Sequence, residues 1–291
     1  MAGPLISIIV PCRNEGAYLK QTLDSIRGAK TNLPFELIIV DDGSTDGCCG
    51  FLAAESRGGL LLSGGGLGVA NARNFGAAAA KGELLCFCDA HVEVEDCWLD
   101  KLARPLFDGE AELICPGIAS TANPRAIGYG VTWDDHLNWR WLHEEPAAVK
   151  YIPLVPGGCL MVRRDVFEEL GGFEKAFRVF GYDDQEFSLK AWLFGYRAAV
   201  APQVVVRHVF RQRHPYPVSW LDLIHNLLYM ALLHFNQRRL GKTIEAAKIH
   251  RAFGDVLAEL LFSAVWEKRR AYLARRRYDD DWFMAKFGID Y

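Results

Sequence analysis

Asp89 and His91 stand two residues apart where the apolar run of "LLCFCDAHVEV" (84–94) ends. On extended backbone, residues i and i+2 point the same way, so a carboxylate and an imidazole there can converge on one ion. A divalent ion such as Mn2+ accepts oxygen and imidazole ligands together, and a diphosphate can complete its shell. The same tripeptide also serves as a polar turn after a strand, and spacing alone does not separate the readings. A second acidic pair, Asp41-Asp42 in "LIIVDDGSTDG" (37–47), again closes a β-branched run. An acid in that place accepts hydrogen bonds from a nucleobase or ribose, from the amides that open the next helix, or from both. A third pair, Asp183-Asp184 in "GYDDQE" (181–186), offers either a proton-accepting carboxylate or a helix cap. Trp133, Trp139 and Trp141 in "WDDHLNWRW" (133–141) present faces that stack on sugar rings or fill a core.

The elements that must position these groups follow from periodicity. "LISIIVP" (5–11) and "FELIIVDDGS" (35–44) are β-branched runs bounded by turn residues, the pattern of strands buried on both faces. Between them Leu19, Leu23 and Ile26 recur at helical spacing, which predicts a parallel strand, helix, strand crossover. "VANARNFGAAAAKG" (69–82) predicts an alanine-rich helix closed by Gly82, and "ELLCFCDAH" the next strand. The first hundred residues thus form a doubly wound α/β half, whose ligands bind beyond the carboxyl ends of the strands. Asp41, Asp42, Asp89 and His91 all fall there. From about residue 110 short strands and loops follow, then a helix over 181–196 with Leu189 and Leu193 on one face, then the strand "AAVAPQVVVRHVFR" (198–211). Beyond Pro217 the chain reads as helical, with Phe253, Val256, Leu257, Leu260, Leu261, Ala264 and Val265 forming one apolar stripe flanked by basic residues.

Composition sets the outer bounds. With 291 residues, 51% of them hydrophobic, the chain buries a core large enough for one big domain or two small ones. A net charge of −3 gives no electrostatic reason for a nucleic-acid partner. From Arg238 to Arg277, eleven Lys/Arg face four acids, so this region is basic and the remainder acidic. Its helices are expected either to pack on their own domain or to make peripheral contact with an anionic membrane surface. "MAGPLISIIVPCRNE" reads as a first strand and not a secretion signal. No stretch reaches the roughly 18 apolar residues of a membrane span. Trp220 to Phe235 comes nearest but holds Asp222, His225, Asn226 and His234. The eight cysteines form no paired CxxC set, so they are expected to be reduced core thiols in a cytoplasmic protein, peripheral at the inner face of the membrane if the basic helices bind there.

Five segments, "ISIIVPCRNE", "LIIVDDGSTDG", "GVANARNFGAAAAKGELLCFCDAHVEV", "VPGGCLMVRRDVFEELGGFEKAF" and "FGYDDQEFSLKAWLFGY", resemble in order and spacing the nucleotide-sugar glycosyltransferases of family 2. The resemblance covers about residues 5 to 217 and leaves the C-terminal region outside. It implies a GT-A type, Rossmann-like α/β fold: a mixed, mostly parallel central sheet flanked by helices, plus a helical C-terminal extension. On this division 1–217 is the glycosyltransferase domain, with a nucleotide-binding half (1–110) and an acceptor-binding half (111–217), and 218–291 is the helical region. Asp89-Ala90-His91 is similar to the Asp-x-His form of the fold's metal motif, typical of polypeptide N-acetylgalactosaminyltransferases. "VVVRHVFRQRHPY" (204–216) is similar to their segment carrying a further histidine ligand.

Carried over by position, the resemblance implies that Asp89, His91 and His208 hold Mn2+, or Mg2+, against the diphosphate of a UDP-sugar. Asp42 would contact the uracil, with Pro11, Arg13, Glu15 and Asp41 around the same pocket, Arg73 near that pocket or the diphosphate, and Gly158 on the nucleotide-sugar. Asp184 stands where inverting members place the base, and Asp183 would bind acceptor hydroxyls or hold Asp184. Trp133 and Trp139 are candidates for the acceptor platform. The acceptor itself, whether carbohydrate, lipid-linked glycan or protein, is not legible. One departure matters: the polypeptide N-acetylgalactosaminyltransferases retain anomeric configuration and usually carry Glu-Asn where this chain has Asp183-Asp184. The metal motif therefore points to a retaining family and the acid pair to inversion, which is the expectation adopted. A nucleotidyltransferase would place a Gly-rich phosphate loop after strand one, where this chain has "PCRNEGAY". A catalytically silent carbohydrate- or nucleotide-binding module would have no use for so complete a set of acids and histidines.

Overall fold

The computed structural model describes residues 3–54 and 59–291. The two β-branched runs near the N-terminus form β1 (Ile6–Cys12) and β2 (Phe35–Asp41), parallel and in register from Ile6 opposite Phe35 to Cys12 opposite Asp41. Between them α1 (Tyr18–Gly28) buries Leu19, Thr22, Leu23 and Ile26. The edge strand β3 (Leu60–Ser63), α2 (Val69–Ala79), β4 (Leu84–Cys88), the short β5 (Val92–Glu93) and α3 (Trp98–Phe107) complete the first half. The second half contributes β6 (Leu113–Ser120), β7 (Ile127–Gly128), the hairpin β8 (Val131–Trp133) and β9 (Trp139–Trp141), β10 (Lys150–Tyr151), β11 (Cys159–Arg163), α4 (Arg164–Glu169), α5 (Asp183–Phe194) and β12 (Ala198–His208).

The main sheet runs β10–β12–β6–β11–β4–β1–β2–β3. Pairing is parallel within β4–β1–β2–β3 and between β6 and β12, while β11 lies antiparallel between β4 and β6. It is the mixed, mostly parallel sheet that the sequence predicts. One face packs on α1 and α3 around Leu19, Leu23, Trp98 and Leu102; the other packs on α2, α4, α5 and the C-terminal helices around Phe87, Phe167, Phe173 and Phe187.

Three expectations need correction. Gly82 does not close α2, which ends at Ala79 with the Ala80 amide turning back to Ala77. Gly82 is small because β1 passes over it: an added Cβ would lie 2.5 Å from the Ser7 nitrogen. The helix over 181–196 has no exposed face, since α5 is buried at every position from Asp183 to Leu193. The C-terminal stripe is not one helix. Past α6 (Trp220–His234) and α7 (Gln237–Ala247), it splits into α8 (Phe253–Leu261) and α9 (Val265–Arg275), followed by α10 (Asp280–Phe287). Val256, Leu260 and Val265 turn inward and join the main core, whereas Leu261 and Phe262 face solvent. Among the described residues no helix is long and apolar enough to cross a membrane.

Gly82→Ala should therefore cost about 1–3 kcal/mol or more, through overpacking against backbone that cannot move aside. Gly28→Ala, at the end of α1 with nothing within 4 Å of the new methyl, should stay within about 0.5 kcal/mol of the parent. Urea unfolding of both variants checks the contrast.

Candidate active site

Strand register brings the chemical groups together. Because β11 runs antiparallel to β4, its start meets the end of β4: Cys159 pairs with Cys88, and the Asp89 amide donates to the Gly158 carbonyl at 3.0 Å. The end of β12 pairs with β5, placing His208 opposite Val92, and the Val209 amide donates to the His91 carbonyl at 3.1 Å. Two segments 119 residues apart along the chain thus deliver Asp89, His91 and His208 to one point. His208 Nε2 lies 3.2 Å and His91 Nε2 3.9 Å from Asp89 Oδ2, and the two imidazoles stand edge to face with centroids 4.6 Å apart.

These three residues fit a divalent ion. Ligands about 2.1 Å from one ion lie about 3 Å apart when adjacent and about 4.2 Å apart when opposite; the three ligating atoms here lie within 4.8 Å of one another. The space is kept clear by Gly158, where a Cβ would sit 2.9 Å from His208 Cδ2 and 3.8 Å from Asp89 Oδ2. Glu15, buried, meets His91 Nδ1 at 3.1 Å, which turns Nε2 toward the cluster. Burial opposes charge on Asp89, but His208, Arg73 and His91 outweigh it and hold the carboxyl well below the usual range.

Arg73 is no solvated helix arginine. It is 3% exposed on α2; it pairs with Asp183 through Nη1, and through Nη2 reaches Asp89 Oδ1 at 3.1 Å and the Gly157 carbonyl at 2.8 Å. Burial works against its charge, and Asp183, Asp89 and Asp184 more than restore it. Asp183 and Asp184 open α5 after Gly181 and Tyr182, both left-handed at φ 98° and 65°. For tyrosine this conformation is strained, and it occurs where the chain must turn both acids into the cleft. Asp184 accepts from the amides of Gly157 at 2.8 Å and Gln185 at 2.8 Å. Burial first, and the Asp183 charge second, push its carboxyl up to about 7 against the pull of Arg73.

These groups face a cleft of about 350 Å³ that Pro11, Arg13, Glu15 and Asp42 also line. Asp42 caps the approach to α2 by accepting from the amides of Gly66, Leu67 and Gly68, and still reaches the cleft. Asp41 does not line it; its Oδ1 accepts from the Ser44 amide at 2.8 Å and holds the turn after β2. Trp133 is likewise not a cleft residue. It is 3% exposed, packs edge-on against Phe235 and Phe283, and its indole N–H donates to Gln185. Trp139 does line the cleft, and with Trp141 and Phe210 forms an aromatic wall that runs to His208.

Residues 210–216 hold cleft groups that the sequence reading passed over. Arg211 pairs with Glu15 and lies over the Tyr18 ring, and Tyr216 stands against Arg13 at 5.4 Å. The signal was present in "FRQRHPY" (210–216), whose dense cations and aromatics follow the candidate ligand His208 directly.

Residues 7–171, more than half of the chain, match the family described as Glycosyl transferase family 2, and residues 150–215 match the N-terminal domain of galactosyltransferase. The chain is 34% identical over 164 residues to the Probable N-acetylgalactosaminyltransferase 8 of Caenorhabditis elegans, covering 51% of this chain and 39% of that protein. It is 29% identical over 232 residues to the Polypeptide N-acetylgalactosaminyltransferase 14 of Homo sapiens, covering 73% and 42%. The chain therefore spans about two fifths of the length of these relatives. Among solved structures, GalNAc-T7 with UDP, GalNAc and Mn2+ superposes with a TM-score of 0.77 at 20% identity, covering 98% of this chain and 56% of that one. S. aureus TarS with UDP-GlcNAc gives 0.59 at 19%, covering 89% and 73%. With the strand-end acids, the Asp-x-His motif and the sheet order all in place, the chain belongs to glycosyl transferase family 2.

Proposed function

We propose that this chain transfers a sugar, an N-acetylhexosamine, from a UDP donor to a hydroxyl of a polypeptide or glycan acceptor, with a divalent metal such as Mn2+ as cofactor. The observation that carries the reading is the meeting of one carboxylate and two imidazoles at the open end of the sheet. The likeness to N-acetylgalactosaminyltransferases, and the UDP and Mn2+ held by the similar GalNAc-T7 structure, support the donor and the metal.

Asp89, His91 and His208 would hold the ion, which when bound supplies Lewis-acid stabilisation of the charge developing on the departing diphosphate. Glu15 fixes the His91 ring. Pro11, Arg13 and Asp42 line the nucleoside side, where Asp42, already accepting three amides, keeps about one lone-pair site for a ribose or base donor. Arg73 neutralises the acids from beneath, so that Asp183 is held as a fixed acceptor. Trp139 and Trp141 give a stacking surface for the acceptor. Asp184 takes the proton of the acceptor hydroxyl as the new bond forms, in a single displacement that inverts the anomeric centre. A carboxyl poised at about 7 suits that task, because a base works best when its pKa lies near the working pH. The retaining alternative is favoured by the likeness to the N-acetylgalactosaminyltransferases, and the anomeric configuration of the first-formed product, read by NMR, separates the two.

Mn2+-dependent hydrolysis or transfer should appear with UDP-GlcNAc or UDP-GalNAc. Chelation should remove it, and Asp89→Ala and His208→Ala should each lower kcat/KM by about 100-fold or more, the scale of losing one transition-state charge stabiliser; full turnover in both would reject the metal assignment. Glu15→Gln should weaken Mn2+ activation by about 10-fold or more, with kcat recovering at high Mn2+. Since Asp184 acts deprotonated and its carboxyl sits near 7, kcat/KM should rise with pH through that value and then level. A profile unchanged in residual shape for Asp184→Asn would remove Asp184 from the base role.

A further inference from the structure

A group of thiols beside the cleft, one of which (Cys12) also lines it, carries a second inference. All eight cysteines are unpaired. Cys12 ends β1, and the vicinal Cys48 and Cys49 come from the turn after β2, so that the three sulfurs gather at the carboxyl ends of β1 and β2. Cys12 Sγ lies 3.5 Å and Cys48 Sγ 3.9 Å from Cys49 Sγ, and all three lie within 4.8 Å of one another. Thiolates about 2.3 Å from a tetrahedral zinc lie about 3.8 Å apart, so the spacing is already that of ligands on one soft ion. The turn is fixed before any ion arrives. Asp46 accepts from the Cys48 amide at 3.0 Å and the Gly16 amide at 2.8 Å, and Ser44 Oγ accepts from the Asn14 amide at 3.0 Å. The three are 3%, 6% and 9% exposed, and Cys12 borders the open cleft. The other thiol triad, Cys86, Cys88 and Cys159, is fully enclosed at 0%.

We propose that Cys12, Cys48 and Cys49 form a three-thiolate site for a thiophilic d10 cation of the Zn2+ class, separate from the Asp89, His91 and His208 cluster. Binding releases the thiol protons to solvent as the thiolates form, with no change of oxidation state. The site clamps the turn after β2 to the segment that carries Arg13 and Glu15, so its occupancy sets the stiffness of the nucleoside side of the cleft.

Cd2+ serves as the probe, because thiolate-to-cadmium charge transfer reports sulfur ligands alone; Mn2+ in excess keeps the oxygen and imidazole site filled. The reduced full chain should take up one equivalent with a three-thiolate band that Zn2+ displaces. Cys12→Ser and Cys49→Ser should each weaken binding by about 100-fold or more, beyond the loss from an outer-shell partner, while Asp89→Ala leaves the band intact. Cys48→Ser, at the more exposed position, gives a second variant should Cys12→Ser melt early. A band that survives in Cys12→Ser and Cys49→Ser, no band in a chain with eight titratable thiols, or a Cys12–Cys49 disulfide under reducing conditions would each overturn the site.

Discussion

A buried guanidinium decides the layout of the cleft. Arg73 reaches the end of β4 through Asp89, the start of α5 through Asp183 and the turn before β11 through the Gly157 carbonyl, with its plane over Phe173. Taking such a charge out of water costs several kcal/mol, and only well-placed opposite charges and acceptors offset it. Those partners must therefore stay where they are. Three carboxylates, Asp89, Asp183 and Asp184, share this single cation, so the cluster carries surplus negative charge. Two consequences follow from the surplus. It adds to burial, the larger cause, in pushing Asp184, the acid with the least direct claim on Arg73, up to about 7, and it draws a cation to the open side of Asp89, at the end bordered by His91 and His208.

The start of α5 is also held from behind, by the C-terminal helices. Asn226 on α6 is fully buried; its amide donates to the carbonyls of Arg178, Phe180 and Gly181, and its carbonyl accepts from the Arg178 amide. One side chain thereby satisfies the irregular backbone that leads into Asp183, which would otherwise be buried without partners. Deeper along α5, Glu186 meets His234 at 2.8 Å and Lys190 at 3.2 Å, and Lys190 reaches the Gly172 carbonyl. Burial opposes the Glu186 charge, yet Lys190 and His234 hold its carboxyl down at about 2. Two of the polar residues that make Trp220–His234 unsuitable as a membrane span, Asn226 and His234, are thus the ones that fasten it to α5 and the turn before it.

The strands and their terminal acids were legible because a strand buried on both faces leaves an unmistakable apolar run, and the first polar residue after it must lie at the sheet edge. What pairs with what was not legible. Nothing in Asp89-Ala90-His91 states that β5 meets β12, and that register alone brings His208 to Asp89. Adjacent acids were equally opaque: Asp41 and Asp42 share composition and position, but one turns to Ser44 and the other to the amides before α2. Trp133 and Trp139 differ for a similar reason, since Gln185, Phe235 and Phe283 close over the first from distant parts of the chain. Gly82 misled because a glycine after an alanine-rich run has two physical uses, ending a helix or admitting a neighbouring backbone, and only packing tells them apart.

The end of the sheet holds two ligand sets of opposite chemical character on neighbouring strands. Asp89, His91 and His208 offer one oxygen and two imidazoles, a set that suits borderline and hard divalent ions; Cys12, Cys48 and Cys49 offer sulfur, which selects against them. Affinity order alone would favour zinc over manganese at both, so discrimination has to come from ligand type and geometry. Glu15 and Arg73 tie the first set into a fixed frame, and Ser44 and Asp46 do the same for the turn that carries the second. Segment 12–16 joins them, with Cys12 at one end and Glu15 near the other. A strand terminus that faces sulfur on one side and imidazole on the other can keep the soft ion from the cleft only while both frames hold, which makes this short stretch the place where the two chemistries are kept apart.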